Sequence, residues 1–291
     1  MTELLHTAWH VLWHALLDTL TVLPFLFLTY LFMEFLEHHA GDRAISVIKR
    51  AGRGGPAIGA ALGLLPQCGF SAAAAGLYAG RVVTVGTLLA VFLATSDEML
   101  AVFLGAGLPV RVILTTLAVK LVVAMFVGFV ADFLLRHRIG DMEVADLCEE
   151  EGCHCERGIW RSALHHTLHI VLFVLIVNVA LGAVLEFVGA DVLAAWLARV
   201  PVLSQCVAAL VGLIPNCAAS VAVATLYASE VLSAGAMLAG LFTGAGAGLL
   251  VLFRTNKRVK ENLIFVGVLF LVSVFFGCLF DYTGLAALIG L

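Results

Sequence analysis

Charge is what this sequence has least of. Only 12% of its 291 residues are Asp, Glu, Lys or Arg, while 62% are hydrophobic and the mean hydropathy is +1.09. A soluble chain of this length needs far more charged surface, so water is excluded as its main solvent. A P-loop of the form G-x-x-x-x-G-K-[ST] is also missing, which argues against a nucleotide-driven machine. No C-x-x-C pair is present to support thiol–disulfide chemistry. The seven cysteines (68, 148, 153, 155, 206, 217 and 278) show no secreted disulfide framework and read as thiols. Met1–His10 lacks a basic n-region and the first apolar run is too long for an h-region, so the first span is expected to insert as an anchor.

What the sequence does have is apolar length. Stretches at 11–37, 57–80, 82–107, 108–135, 162–187, 201–229, 231–253 and 261–280 are dominated by Leu, Ala, Val and Phe. A spanning helix needs about 20 such residues, and several stretches reach that. With 28 glycines and no ten-residue alternation, the pattern suits helices rather than a barrel. The expected fold class is all-α membrane.

The chain also repeats itself. Pro66–Ala90, PQCGFSAAAAGLYAGRVVTVGTLLA, lies over Pro215–Ala239, PNCAASVAVATLYASEVLSAGAMLA, with 12 of 25 positions identical and no gap. The same offset of 149 residues aligns Gly128 with Gly277 and Asp132 with Asp281, and a slip of one residue aligns Thr19-Leu20 with Thr167-Leu168. Self-similarity on this scale divides the chain into a first transmembrane repeat (1–136), a connector (137–161) and a second repeat (162–291).

Basic residues assign direction. Loop 38–56 carries Arg43, Lys49, Arg50 and Arg53, whereas its counterpart 187–205 has only Arg199. Late in each half the bias reverses: 104–112 has only Arg111, and 253–261 has Arg254, Lys257, Arg258 and Lys260. Basic loops stay in the cytoplasm, so equivalent loops are expected on opposite sides, which makes the repeat inverted. Loop 38–56, the connector and 253–261 are then inside and both termini outside. Each half must cross an odd number of times. A re-entrant hairpin satisfies this, with 57–65 entering, Pro66-Gln67-Cys68-Gly69 turning and 70–80 returning; three short crossings satisfy it equally. The following run is interrupted at Thr95-Ser96-Asp97-Glu98, and its counterpart at Thr243–Gly248, where Gly244 and Gly246 break the helix. Broken or re-entrant helices of the two halves are thus expected to meet at the membrane midplane.

Paired discontinuities in inverted halves point to a transport site. Pro66 and Pro215 each break a helix. Beside them Gln67 and Asn216 offer amides, Cys68 and Cys217 thiols, and one turn on Ser71 and Ser220 offer hydroxyls. A single P-x-C is more simply a kink with a buried thiol; its duplication beside a polar residue favours substrate binding. Asp97 and Glu98 sit in an apolar run, where an isolated charge costs about 3 kcal/mol. With Thr95 and Ser96 they are candidate ligands. Lys120, whose counterpart is Leu269, is the expected partner, either in a structural ion pair or in gating and coupling.

Histidine forms a peripheral pattern. His6, His10, His14 and Asp18 share one face of the first helix and could chelate a metal, although an interfacial histidine face is the plainer reading. His165, His166 and His169 open the second half. Just before them, Cys148, Cys153, His154 and Cys155 resemble a thiolate-rich capture loop for soft ions, with a solvated acidic linker equally compatible.

The segments LPQCGFSAAAAGLYAGRVVTVGTLLAVFLATSDEM (Leu65–Met99) and IPNCAASVAVATLYA (Ile214–Ala228) resemble the ten-transmembrane heavy-metal exporter family, described variously as arsenic efflux proteins or manganese transporters. The resemblance implies efflux of a metal or metalloid across the plasma (inner) membrane, by a protein that is not an enzyme. Together with the residues, it leads to the expectation of secondary-active export coupled to an ion or proton gradient, of arsenite-like species or Mn²⁺. No cofactor is expected. The partners are the transported ion and the bilayer, with no nucleic acid and a homo-oligomer left open. A passive channel and a membrane-embedded thiol oxidoreductase using Cys68 and Cys217 are the competing readings.

Overall fold

The computed structural model describes scattered positions between 9 and 31, then residues 54–66, 69–96, 99–135, 159–188 and 204–286, with some side chains of 159–188 left out. The described residues between 9 and 31 are helical. After them come α1 (Gly55–Gly63), α2 (Gly69–Ala79), α3 (Val85–Ala94), α4 (Met99–Gly105) and α5 (Val110–Leu134). Next is α6 (Ile159–Val188), then α7 (Ser204–Gly212), α8 (Cys217–Ala228), α9 (Ala234–Thr243), α10 (Ala247–Thr255) and α11 (Val259–Tyr282). No strand occurs among the described residues. Among them, four stretches are long and apolar enough to cross a membrane: Val85–Gly105, Val110–Leu134, Ala234–Thr255 and Val259–Tyr282.

The elements of α1–α5 recur in α7–α11. Moving 149 residues along the chain carries the bounds of α1 onto α7 and of α3 onto α9, and brings α2, α4 and α5 within a residue or so of α8, α10 and α11. Local chemistry recurs with them. Thr84 caps α3 by accepting the Thr87 N–H, and Ser233 caps α9 by accepting the Ala236 N–H, each satisfying an otherwise orphaned donor. Asp132 accepts from Gly86 N (2.9 Å) and Thr84 Oγ1 (2.7 Å). Asp281 accepts from Gly235 N (2.8 Å), Ser233 Oγ (2.6 Å) and also Gln205 Nε2 (2.6 Å). A carboxylate at a helix N-terminus is held by the N–H groups and the dipole together. The one-residue slip is visible too: Thr19 Oγ1 donates to Ala15 O and Thr167 Oγ1 to Ala163 O, both at 2.7 Å.

Glycine sets the closest helix approaches. A β-carbon on Gly86 would stand 2.2 Å from the Gly128 carbonyl, and one on Gly235 would stand 2.1 Å from the Gly277 carbonyl. Small residues facing each other let backbones touch, which is how helices associate in lipid where burial of Leu gains little. The unbroken α5 and α11 are bound in this way to the broken α3 and α9.

Burial separates a core from a shell. In the most apolar 18-residue window of Ala234–Thr255, 94% is buried, and in that of Val85–Gly105, 69%; for Val110–Leu134 and Val259–Tyr282 the figures are 39% and 22%. Leu114, Val122, Phe126 and Phe133 on α5, and Leu263, Ile264, Leu271 and Phe275 on α11, are exposed. Large apolar side chains pointing outward from a packed helix suit a lipid solvent. The interrupted stretches therefore lie innermost. The partnership of the shorter helices is crossed: α2 packs along α10, and α8 packs against α4.

Asp281 serves three donors and Asp132 two, and each donor is stranded when its carboxylate goes. Asp281→Ala is accordingly expected to lower the thermal midpoint in detergent more than Asp132→Ala, and both more than an exposed control such as Lys260→Ala.

Candidate functional site

The site is built from helix ends. In the first half α1 finishes at Gly63, Leu64 N bonds back to Ala60 O (3.2 Å) and Leu65 N to Leu62 O (3.1 Å), and Pro66 lies exposed. Gln67 and Cys68 fall outside the described residues, and α2 starts at Gly69. In the second half α7 finishes at Gly212, and Leu213 N and Ile214 N bond back in the same manner to Ala209 O and Val211 O. Pro215 is half-buried. Asn216 is extended (φ −145°, ψ 142°) and caps α8, its Oδ1 accepting from Ala218 N at 2.8 Å. Cys217 is the first residue of α8 and is half-buried as a thiol. Ser220 Oγ donates to Cys217 O at 2.8 Å.

The interruption in the second spanning stretch lies against the helices that start at these tips. Between α9 and α10 the break comprises Gly244, Ala245 and Gly246, so Thr243 closes one helix and Gly248 lies inside the next, a shorter gap than Thr243–Gly248. Gly246 has φ 50° and ψ −135°, a conformation essentially restricted to glycine. Ser71, fully buried on α2, donates its hydroxyl to Ala245 O at 3.0 Å. Gly248 is pressed against the same serine, since a β-carbon there would stand 2.7 Å from Ser71 Cβ. On the other side a β-carbon on Gly244 would lie 3.8 Å from Ser220 Cβ. The break of the second half thus sits between Ser71 from one tip helix and Ser220 from the other.

The break in the first half runs between Ala94 and Met99. Thr95 and Ser96 are both buried, and their hydroxyls donate to Val91 O (2.8 Å) and Ala94 O (2.9 Å). Each hydroxyl oxygen keeps acceptor capacity after donating. Asp97 and Glu98 are outside the described residues.

Lys120 is the one charged residue among the fully buried large side chains described. Its Nζ donates to Leu241 O at 2.6 Å and lies 5.6 Å from the centre of the Phe242 ring. Leu241 belongs to the last turn of α9, where carbonyls lack helical partners and partial negative charge accumulates. The ammonium from α5 therefore caps the helix that ends at the break. Its counterpart Leu269 is buried and apolar, so this charge belongs to one half only. Nearby, Thr243 Oγ1 donates to Ala209 O at 2.8 Å and ties α9 to α7.

Sequence reasoning left several of these partners unnamed. Ala245 O and Leu241 O, which accept from Ser71 and Lys120, are main-chain carbonyls and carry no side-chain signature. Asp132 and Asp281 were visible as an aligned pair, and the Thr84/Ser233 alignment four dozen residues before them was the signal for their capping role. His6, His10, His14 and Cys148, Cys153, His154, Cys155 lie outside the described residues. The His165 and His169 rings lie 4.7 Å apart, tilted by 55°, on an exposed face. Among the described residues no group of three or more His, Cys, Asp or Glu could hold a metal ion.

The seat between Ser71 and Gly248 has no room for a methyl group. Gly248→Ala is expected to lower the yield of folded protein, with partial recovery in Gly248→Ala/Ser71→Gly; size-exclusion profiles of the purified variants check this.

No curated protein and no solved structure matches the chain. A family model does, over residues 10–197, which take in α1–α6 and the connector. With four crossing-length apolar stretches among the described residues, this is a multi-pass membrane protein, and it belongs to the family described as "Putative, 10TM heavy-metal exporter".

Proposed function

We propose that the protein is a secondary exporter of a heavy-metal or metalloid ion in the plasma membrane, coupled to an ion or proton gradient and built from two inverted halves. The observation that carries this reading is the placement of one helix break between the serines of two separate tip helices. At bilayer depth, irregular backbone is stable only where protein or a wet cavity surrounds it. Two interrupted stretches held innermost, with intact helices outside them, are the arrangement expected when the interruptions serve a permeating ion.

In this reading the ion binds between the tips. Gln67, Cys68, Ser71, Asn216, Cys217 and Ser220 supply amide, thiol and hydroxyl ligands, and Thr95, Ser96, Asp97 and Glu98 supply oxygen from the facing break. Asp97 and Glu98 exchange a proton for the ion. Lys120, already committed to the Leu241 carbonyl, limits the net negative charge of the empty site. Binding of a cation displaces protons from its ligands, so a proton gradient can drive release. Support for the duplication comes from the recurrence of caps and glycine contacts at a spacing of 149 residues, and the inversion rests on the basic-residue bias. The ion pair between Arg81 and Glu261 (3.1 Å) joins two places that this bias assigns to the cytoplasmic face.

Soft thiolates select arsenite-like species, whereas carboxylate and amide oxygens select Mn²⁺. Cys68→Ser/Cys217→Ser is expected to abolish arsenical resistance in a deletion strain and to spare Mn²⁺ resistance if oxygen ligands hold manganese. Unchanged resistance to both would remove the thiols from the site. In everted vesicles, uptake of the ion is expected to collapse when nigericin dissipates the pH gradient; flux that persists unchanged would identify a channel instead.

A further inference from the structure

His165 and His169 take no part in the ion site between the tips. They stand one turn apart on α6, and both are exposed. Residues four apart on a helix share a face and can meet. Here the ring centres lie 4.7 Å apart with the planes inclined at 55°. A metal ion bound by an imidazole nitrogen stands about 3.2 Å from that ring's centre, so two rings in adjacent coordination positions are separated by about 4.5–5.3 Å. The observed spacing falls inside that interval. Two imidazoles at i and i+4 on one helix face are a pattern by which helices chelate a transition metal.

A neighbouring helix fixes the level of the pair. α6 touches α10, and the Arg254 guanidinium near the end of α10 lies 5.9 Å from the centre of the Phe173 ring. Arg254 opens the run Arg254, Lys257, Arg258 and Lys260, all of them exposed, and such a basic run marks the cytoplasmic surface. Phe173 is therefore level with that surface. In the direction that the inverted topology gives to α6, His169 stands about 6 Å and His165 about 12 Å further toward the cytoplasm. The helix has the length for it: its 30 residues extend about 45 Å, against about 30 Å of hydrocarbon. Among the described residues no further His, Cys, Asp or Glu completes a group of three with the pair. Imidazoles without carboxylates suit Ni²⁺, Cu²⁺ or Zn²⁺ better than Mn²⁺, and without thiolates they do not suit arsenite.

We propose that His165 and His169 form a chelating site for a divalent ion of the Ni²⁺, Cu²⁺ or Zn²⁺ class at the cytoplasmic end of α6. The site is separate from the one between the tips and does not depend on it. Only its placement on the cytoplasmic side rests on the inverted-repeat reading. Water fills the coordination positions that the two imidazoles leave, so an ion held there stays exchangeable.

The probe is Cu²⁺–iminodiacetate, titrated into the purified full chain without a histidine tag and followed by electron paramagnetic resonance. Other histidines and thiols of the chain also take copper, so the readout is the difference between parent and variant. His165→Ala/His169→Ala is expected to remove one equivalent of copper together with its two-nitrogen coupling. Two ligands on one rigid helix act together, so either single substitution should weaken that equivalent by about a hundredfold. Should the alanine pair not fold, His165→Gln/His169→Gln carries the same expectation. Unchanged stoichiometry in the double variant, or a single substitution that leaves the equivalent at parental affinity, overturns the chelate. Cys68→Ser/Cys217→Ser should keep the equivalent intact, whatever that variant does to resistance; its loss there would overturn the independence of the two sites. In everted vesicles, where the cytoplasmic face is outermost, the difference between parent and double variant is expected in full. A difference confined to right-side-out vesicles would overturn the cytoplasmic placement.

Discussion

Every peptide group inside a bilayer has to find its hydrogen-bond partner within the protein. That constraint explains why the most irregular backbone here is the most deeply covered. The Gly244-Ala245-Gly246 interruption frees carbonyls and N–H groups in the middle of an apolar stretch. Their partners are brought from elsewhere in the chain: Lys120 to Leu241 O, Ser71 to Ala245 O. Intact helices need no such help and can be given over to lipid, as the outward Leu and Phe of α5 and α11 are.

The same constraint orders the other levels of structure. Because hydrophobic burial does little to hold helices together in lipid, contact depends on shape and on polar anchors. Gly86 against Gly128 and Gly235 against Gly277 supply the shape, and Asp132 and Asp281 supply the anchors at the adjoining helix starts. Each broken helix is thereby fixed to an unbroken one at one end and left interrupted at the other. An element rigid at its rim and open at its centre is well suited to presenting ligands to an ion.

Much of this was legible in the residues. Hydropathy gave the class, the offset between Pro66 and Pro215 gave the duplication, and polar or glycine clusters at 95–98 and 243–248 located both interruptions. The shorter gap at 244–246 was not readable, because Thr243 and Gly248 look loop-like until Thr243 is seen bonded to Ala209 O and Gly248 is seen yielding space to Ser71. The Lys120 acceptor was out of reach for another reason. Side-chain complementarity pointed to Asp97 or Glu98, which lie outside the described residues, and the bond to Leu241 O adds a carbonyl partner, a group that every residue possesses. Crossed packing of α2 on α10 and α8 on α4 is equally silent in sequence, since apolar helix faces carry no label for their partner.

That crossing has a consequence for how the chain is made. The seat of Ser71 is formed by Ala245 and Gly248, which leave the ribosome some 175 residues later. Until they arrive, the first tip helix lacks the long-range partners it packs against in the finished protein. Assembly is therefore post-insertional by geometry: neither half can mature as a separate domain, and the last helices to enter the membrane complete the first.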